Sequence, residues 1–167
     1  MRFYQLHPQV VVLIGTATEE KENFMPAAWA SPLSFKPPLF GVAISPKRYT
    51  YNAILASEEF TVNYCTLEMA DIVARTGEVS GRVVNKKEKF NIKTRRGEVV
   101  KAPVVEGCYA HLECKLKDYF EVGDHFLFVG EVLKFSHDLK DLKPLIYLWE
   151  DTYTTISDVR ILKPREK

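Results

Sequence analysis

The sequence has little cysteine, no long apolar run and no excess charge of either sign. Its three cysteines, Cys65, Cys108 and Cys114, form no C-x-x-C pair, which argues against a disulfide framework or a structural zinc site and suits a reducing compartment. The apolar run Val10–Gly15 is too short to span a bilayer, and no signal-peptide cleavage site follows it. Lysine and arginine total 23 against 22 acidic residues, so the net charge of +1 supplies no general attraction for nucleic acid or an anionic membrane. We therefore expect a cytoplasmic protein without nucleic-acid or membrane partners.

The sequence also lacks the short motifs that mark common catalytic and nucleotide-binding sites. It contains no G-x-G-x-x-G, no G-x-x-x-x-G-K-[ST] and no G-x-S-x-G, which excludes a Rossmann turn, a P-loop and a nucleophile elbow. Because the histidines are scattered without metal-ligand spacing, no metal site is expected. They are His7, His111, His125 and His137. The cysteines are expected to be buried and inert, since no base is fixed beside them by the sequence.

What the sequence does contain is a series of short runs rich in Val, Ile, Phe and Tyr, which is typical of β-strands. The chain of 167 residues is 46% apolar, enough for a single domain over residues 1–167 with its own core. Six or seven strands are predicted, with candidates at Gln9–Ala17, Asn23–Ala30, Leu39–Ser45, Phe60–Cys65, Gly107–Tyr119, His125–Ser136 and Leu145–Trp149. Without a βαβ alternation, these strands favour an antiparallel barrel, in which closure removes exposed edges.

Two short helices are expected to interrupt the strands. Ser45 suits an N-cap and Pro46 suits the first helical position, so the first helix is predicted to begin after Ser45 and to include residues 47–57. The second helix follows Thr66 and ends at Gly77. Both helices are predicted to be connectors between strands.

Two polar segments are expected on the surface. Residues 78–103 are polar and basic, which predicts a long surface excursion. A solvated loop explains this segment more simply than a binding patch does. Residues 163–167 are predicted to form a frayed tail.

The stretch SPKRYTYN, residues 45–52, is the most distinctive candidate site. It places two cations and three hydrogen-bonding side chains beside the unpaired backbone N–H groups and the positive dipole end of the first helix. Arginine offers a two-pronged fork to a phosphate, lysine a point charge, and hydroxyls and an amide take the remaining oxygens. The candidate phosphate-binding side chains are Ser45, Lys47, Arg48, Thr50 and Asn52. An ordinary capped helix with solvated cations explains this stretch alone about equally well.

Two further stretches suit a flat ligand. In NFMPAAWASPLSFKPP, residues 23–38, small residues around Trp29 leave backbone groups accessible to a planar ring. In VGDHFLFVGEV, residues 122–132, a tight turn leaves His125 at the mouth of a strand, and Gly130 permits close backbone approach. A loop with one half-buried tryptophan and a histidine with a structural hydrogen bond are the simpler explanations of each stretch alone.

Taken together and in this order, these stretches resemble the flavin reductase-like family of FMN-binding split barrels, which includes flavoredoxins and archaeal ferric reductases. The similarity rests on residues 23–34, followed by PPLFGVAIS, SPKRYTYNAI, EEFTVNYC and GDHFLFVGEV, and it covers roughly residues 1–155. The ordered series is far more specific than any one of its members. The resemblance implies a mainly β, six-stranded antiparallel Greek-key split barrel with two or three short helices. It also implies a homodimer with flavin mononucleotide (FMN) near the dimer interface.

The resemblance implies a role for each candidate residue. The ring and ribityl chain of FMN are expected against Ala28, Trp29, Ala30 and Ser31, and the phosphate end against Ser45, Lys47, Arg48, Tyr49, Thr50 and Asn52. His125 becomes the candidate for orienting NADH or NADPH, whereas Trp149 and Tyr153 receive no role.

The implied function is an oxidoreductase that passes electrons from NAD(P)H through FMN to a small-molecule or protein acceptor. Such a protein supplies stacking, orientation and electrostatic tuning, and it requires no acid–base pair of its own. A non-enzymatic FMN-binding carrier of flavoredoxin type is the alternative. A small barrel that binds single-stranded nucleic acid by stacking is a distant one.

Overall fold

The computed structural model describes residues 7–140 and 143–157, and strands dominate this part of the chain. Its strands are β1 Gln9–Val10, β2 Val12–Ala17, β3 Glu22–Ala27, β4 Ala30–Phe35, β5 Pro38–Ile44, β6 Glu59–Tyr64, β7 Thr94–Arg96, β8 Pro103–Val105, β9 Ala110–Val122, β10 His125–His137, β11 Ile146–Trp149 and β12 Thr152–Thr154. Its helices are α1 Tyr49–Ser57, α2 Ala70–Glu78, which follows a 3-10 turn at Leu67–Met69, and α3 Lys86–Lys89. Among the described residues, no helix is both long and apolar enough to cross a membrane. The predicted frayed tail, residues 163–167, lies outside the described residues.

The main sheet contains seven strands in the order β3-β2-β6-β9-β10-β5-β4, and each neighbouring pair is antiparallel. The predicted class, a mainly β antiparallel split barrel, is confirmed, with one strand more than the six expected. The predicted strand Asn23–Ala30 is in fact parts of two strands, because Ala28 and Trp29 lie between β3 and β4 and belong to neither. A smaller sheet joins β1 to β11 and β12, with Val10 opposite Ile146.

The side chains of β2 show why the early part of the sequence is apolar without alternation. Val12 and Ile14 pack in one buried cluster together with Ile54 of α1. Leu13 packs in a second buried cluster together with Val73 of α2. Successive side chains of a strand point to opposite faces, so a strand covered on both faces is apolar at every position.

The prediction that the cysteines are buried is confirmed for Cys65 and Cys114. Burial raises the pKa of Cys114 to about 12, and it raises the pKa of Cys65 well above its ordinary value. Both thiols therefore stay protonated and unreactive at neutral pH. Cys108 is only partly buried, and its Sγ lies 3.6 Å from Met69 Sδ. All three cysteines are free thiols.

The prediction of a solvated surface excursion over residues 78–103 is wrong in part. The segment contains α3 and β7, and Lys86 and Ile92 within it are buried. The segment is tied to the sheet by Glu113, whose Oε2 accepts a hydrogen bond from the Val99 N–H at 2.7 Å. Isolated buried residues in a basic stretch produce no hydrophobic period, which is why the sequence pattern does not reveal them.

Asn63 of β6 holds the end of this segment against the sheet through a buried hydrogen-bond network. Its Nδ2 donates to Leu13 O at 2.9 Å, and its Oδ1 accepts from the Val105 N–H at 2.8 Å. His111 Nδ1 lies 3.1 Å from the same Oδ1. Because that oxygen is an acceptor, the arrangement requires a proton on His111 Nδ1.

Acidification is expected to destabilise the fold through His111. Burial, with a smaller contribution from the charge of Arg95, lowers the pKa of His111 from 6.5 to about 4. Between these values the unfolded chain binds more protons than the folded chain, so stability is complete above pH 6.5 and falls as the pH drops towards 4. The free energy of unfolding, measured with urea, should decrease between pH 6.5 and pH 4.5 in both the unaltered protein and His111→Gln. The decrease should be larger in the unaltered protein by on the order of 1–2 kcal/mol. Equal losses in the two proteins would contradict this assignment.

Candidate functional site

Helix α1 begins at Tyr49, so the predicted N-cap at Ser45 is wrong. Arg48 occupies the N-cap position with extended backbone, and its side chain makes no capping hydrogen bond. The chain instead turns before the helix, with the Arg48 N–H donating to Ser45 O at 3.0 Å. Pro46 takes the second position of this turn, which proline favours. The turn leaves Lys47 and Arg48 exposed beside the first unpaired N–H groups of α1.

Lys47 and Arg48 line a cavity of about 240 Å³, which we call the cationic cavity. Tyr49 and Thr50 line it as well, so four of the predicted phosphate-end residues lie together. Its other walls come from β3, from the end of α2 and from the segment that follows α2. Residues of these walls include Asn23, Thr76, Gly77, Ser80, Gly81 and Lys86.

Lys86 is a cation of this cavity that the sequence pattern does not single out from its neighbour Lys87. Its side chain is buried, and its Nζ donates to Phe24 O at 3.0 Å and to Thr76 O at 2.7 Å. Burial lowers the pKa of Lys86 to about 8, and the positive charge of Arg48 contributes to the shift. A buried ammonium group beside a second cation is stabilised by an anion, so this end of the cavity suits a negatively charged ligand.

Gly81 lets the segment after α2 close the cationic cavity. Asn23 Nδ2 donates to Thr50 Oγ1 at 2.9 Å, and both side chains are buried. A Cβ atom on Gly81 would lie 2.1 Å from Asn23 Oδ1 and 3.1 Å from Tyr49 Cδ1. Glycine at this position therefore brings the backbone against the Asn23 wall, which any larger residue would push away.

The break between β3 and β4 lines a second cavity of about 210 Å³, which we call the Trp29 cavity. Ala27, Ala28 and Trp29 form one wall of this cavity. The small side chains of Ala27 and Ala28 leave room for a flat ligand on this wall. The carbonyl oxygens of Ala28 and Trp29 already accept hydrogen bonds, from the N–H groups of Ala30 and Ala43. Ser45 lines this cavity rather than the cationic one. Arg48 lines both, so its side chain stands where the two cavities adjoin.

Ala30 and Ser31, two of the predicted ring contacts, lie outside the lining of the Trp29 cavity. They belong to β4, where they pair with Val42 and Gly41 of β5. Ser31 Oγ donates to the carbonyl oxygen of the next residue at 3.1 Å. Because the chain re-enters the sheet at Ala30, the stretch of backbone that lines the cavity ends at Trp29.

His125 begins β10 and lies against Trp29 in the same cavity. The two ring centroids are 4.9 Å apart, with an angle of 47° between the ring planes. His125 Nδ1 lies 2.7 Å from Asp124 Oδ1, and this hydrogen bond lowers the pKa of Asp124. A carboxylate only accepts hydrogen bonds, so His125 Nδ1 is the donor. The other ring nitrogen, Nε2, takes no part in the hydrogen bond with Asp124.

Asn52, like Ser45, is a predicted phosphate residue that the structure does not bring to the cationic cavity. It lines a separate cavity of about 660 Å³, which we call the Asn52 cavity and which includes Tyr49 in its lining. The reason is helical geometry, because Asn52 follows Tyr49 by three residues and lies almost one turn further from the start of α1.

The carboxy-terminal strands adjoin the site. Tyr147 of β11 and Tyr153 of β12 line a cavity of about 340 Å³ that shares residues 26–28 with the Trp29 cavity. The two tyrosine rings are 5.6 Å apart. Trp149, in the same hairpin, is exposed. Tyr153, which receives no role from the sequence, therefore lies beside the segment that lines the Trp29 cavity.

Comparisons with known proteins assign the family. The family described as flavin reductase like domain matches residues 3–157. The crystal structure of an FMN-binding protein from Thermus thermophilus with bound p-hydroxybenzaldehyde superposes with a TM-score of 0.88 at 34% identity, covering 96% of this chain and 93% of that chain. Flavoredoxin from Methanosarcina acetivorans superposes with a TM-score of 0.86 at 28% identity, covering 98% of this chain and 91% of that chain.

One relative is described as a reductase. The reductase subunit HsaB of a flavin-dependent monooxygenase from Mycobacterium tuberculosis is 30% identical over 125 residues, which are 74% of this chain and 63% of that protein. The family match spans nearly the whole chain and agrees with the ordered motifs of the sequence. The chain therefore belongs to the flavin reductase like family.

Proposed function

We propose that this protein is an FMN-binding oxidoreductase that passes electrons from NADH or NADPH to a small-molecule or protein acceptor. The observation that carries the proposal is the position of Arg48, which lines both the cationic cavity and the Trp29 cavity. One cavity offers cations and the other offers a wall of small residues and main chain. A mononucleotide with a planar ring needs these two environments side by side. Similarity to an FMN-binding protein supports the same cofactor.

The cationic cavity fits the phosphate end of FMN. A phosphate monoester carries about −1.5 to −2 charge at neutral pH. Lys47, Arg48 and Lys86 supply positive charge, the Arg48 fork can hold two phosphate oxygens, and the start of α1 adds its dipole. An ordinary capped helix has no need of a buried lysine beside the cap residue. Lys86 therefore favours phosphate binding over the simpler explanation of this stretch.

The Trp29 cavity fits the ring end of FMN. When bound, FMN supplies the hydride and electron chemistry of the reaction. The chain then has to hold the ring flat against Ala27 and Ala28 and to orient the nicotinamide. Trp29 and His125 stand at the side of the same cavity and are the residues placed to do so.

The purified protein provides the first test. We expect a yellow preparation whose visible spectrum is that of a flavin and which loses its colour when the released flavin is removed after denaturation. A colourless protein would remove the basis of the proposal. If such a protein bound oligonucleotides with a steep dependence on salt, the nucleic-acid-binding barrel would be supported instead.

Replacing His125 with alanine is expected to slow the reduction of bound flavin by NADH or NADPH several-fold, because the nicotinamide loses an orienting contact. Because His125 does not line the cationic cavity, the variant keeps the phosphate contacts of FMN and should retain most of its flavin, and the rates are compared at full flavin occupancy. The measurement is anaerobic stopped-flow bleaching of the flavin. The control is His137→Ala, which changes an exposed histidine at the opposite end of β10. Equal rates in the two variants would remove His125 from the nicotinamide site.

The second candidate function is that of an electron carrier without NAD(P)H activity. Similarity to a flavoredoxin favours this possibility. The same stopped-flow experiment separates the two functions. If neither NADH nor NADPH bleaches the flavin of the unaltered protein at a useful rate, the reductase proposal fails and the carrier remains.

A homodimer is part of the proposal, as the resemblance implies. Large apolar side chains are exposed on strands of the main sheet, namely Phe35, Phe120, Val122, Leu133 and Phe135. Extensive apolar exposure is typical of surfaces that a partner covers. We assign this role to a second copy of the chain, and sedimentation velocity should then give a particle of twice the chain mass. A monomer at micromolar concentration would contradict it.

A further inference from the structure

The cavity lined by Tyr147 and Tyr153, which we call the tyrosine cavity, takes no part in the FMN site described above. It lies between α2, the end of β3 and the hairpin of β11 and β12. Val11, Val73 and the alanines of residues 27–28 give it apolar walls, and its volume of about 340 Å³ suits a molecule of a few rings. Because it adjoins the Trp29 cavity at residues 26–28, a ligand held in it would lie beside the ring end of FMN.

The tyrosine cavity differs from the cationic cavity in the sign of its charge. Its lining includes the carboxylates of Glu78, at the end of α2, and Asp151, in the turn between β11 and β12. The described residues that line it include no lysine, arginine or histidine, whereas three cations line the cationic cavity. The carboxyl end of α2 adds the negative end of its helix dipole. The tyrosine cavity therefore disfavours the phosphates of a nucleotide and favours a cation.

Two aromatic rings complete this lining. The rings of Tyr147 and Tyr153 are 5.6 Å apart with an angle of 56° between their planes, and no cation of the described residues lies over either ring. Burial and the charge of Asp151 raise the pKa of Tyr153 to about 12, so this tyrosine is neutral and lies close to the carboxylate. Aromatic rings attract positive charge and pack against the apolar body of a ligand, and proteins bind organic cations by this means.

We propose that the tyrosine cavity binds the electron acceptor and that this acceptor is an organic cation without phosphate groups. The inference rests on the proposed function and names the class of its small-molecule acceptor. Reduced FMN in its anionic form gives up two electrons and one proton, which the bound cation takes up. FMN is thereby oxidised, and the acceptor becomes neutral. The neutral product is no longer attracted by Glu78 and Asp151 and leaves the cavity.

The first measurement is of binding and does not depend on electron transfer. The oxidised, FMN-loaded protein is titrated by calorimetry with benzyltrimethylammonium, which is a cation, and with benzyl alcohol, which is neutral. We expect the cation to bind about tenfold more tightly than the alcohol. Equal affinities for the two compounds would overturn the inference.

A double variant, Glu78→Gln with Asp151→Asn, removes both charges and keeps the size of the side chains. Asparagine suits position 151, where φ is 54°. The double variant should bind benzyltrimethylammonium about tenfold more weakly, and Glu78→Gln alone about threefold more weakly. The matched control, Glu150→Gln, removes a neighbouring carboxylate that does not line the cavity and should keep the original affinity. Circular dichroism and flavin content show whether each variant is folded.

The second measurement follows reoxidation of the flavin after stoichiometric reduction by dithionite, so it requires neither NADH nor NADPH. Stopped-flow mixing compares methylene blue, a cationic dye, with dichlorophenolindophenol, an anionic dye. The double variant should slow reoxidation by methylene blue several-fold and should not slow reoxidation by the anionic dye. The same rate with methylene blue in the double variant and in Glu150→Gln would overturn the inference. A protein without a reducible flavin would instead refute the proposed function, so the two failures are distinguishable.

Discussion

Arg48→Ala is expected to weaken FMN binding by about 10- to 150-fold, which corresponds to about 1.5–3 kcal/mol, the scale of a hydrogen bond to a charged group. Arg48 stands where the cationic cavity and the Trp29 cavity adjoin, so its removal takes away both the phosphate fork and part of the wall between phosphate and ring. Quenching of flavin fluorescence measures the affinity. Riboflavin has the ring and lacks the phosphate, so its smaller loss in the same variant would locate the effect at the phosphate end.

Two variants separate the geometry of Arg48 from its charge. Arg96→Ala removes the same charge from an exposed position of β7, outside the lining of the cationic cavity, and should leave FMN affinity unchanged. Arg48→Lys keeps the charge and loses the two-pronged fork, so its affinity should fall between those of the unaltered protein and Arg48→Ala. Retention of FMN by Arg48→Ala at the original affinity would refute the phosphate assignment.

The local part of the site is predictable because its residues are adjacent in the chain. Lys47, Arg48 and Thr50 fall within one turn and the start of one helix, so their proximity follows from the sequence before any tertiary structure is known. Lys86 comes from a different element, and its burial depends on contacts with β3 and α2. A single lysine in a basic run has no pattern from which such contacts can be inferred.

Asn52 and Ser45 show the opposite kind of error. For these two residues a local sequence rule predicts a place at the phosphate site that the structure does not give them. Ser45 followed by Pro46 satisfies the statistics of a helix start, yet the same pair also satisfies a turn, and the chain uses the turn. Helix α1 begins at Tyr49, and Asn52, although it falls in the first turn, lines the Asn52 cavity instead of the cationic cavity. Proximity to the start of a helix therefore does not by itself determine which side chains share a cavity.

The strands were predictable in class and less so in their limits. Alternation and β-branched residues identify six of the main-sheet strands or parts of them, and the antiparallel arrangement follows from the absence of long crossover helices. The break at Ala28 and Trp29 has no such signal, because both residues continue an apolar run. This break nevertheless lines the Trp29 cavity. The positions that carry function here are thus those where the regular pattern is interrupted.

Raising the pH from 7.5 to 9.5 is expected to weaken FMN binding by about tenfold or more and to leave riboflavin binding nearly unchanged. In the ligand-free protein the pKa of Lys86 is about 8, chiefly because the ammonium is buried. A bound phosphate favours the charged ammonium, so the pKa of Lys86 rises in the complex. Below pH 8 the lysine is already protonated and binding needs no proton. Above pH 8 binding must take up a proton, and the affinity falls as the pH rises.

The phosphate of FMN does not itself account for such a dependence, because its second pKa is about 6 and it is fully ionised above pH 7.5. Lys86→Arg keeps a positive charge that does not titrate in this range, so it should retain FMN and lose the pH dependence. Lys86→Gln has no charge at this position and should bind FMN weakly at every pH. It replaces Lys86→Arg as the test variant if arginine does not fit the buried position. Calorimetry at pH 8.5 in two buffers of different ionisation enthalpy should show net proton uptake only with the unaltered protein and FMN. The same pH profile for FMN and riboflavin, or an unchanged profile in Lys86→Arg, would exclude Lys86 from the phosphate site.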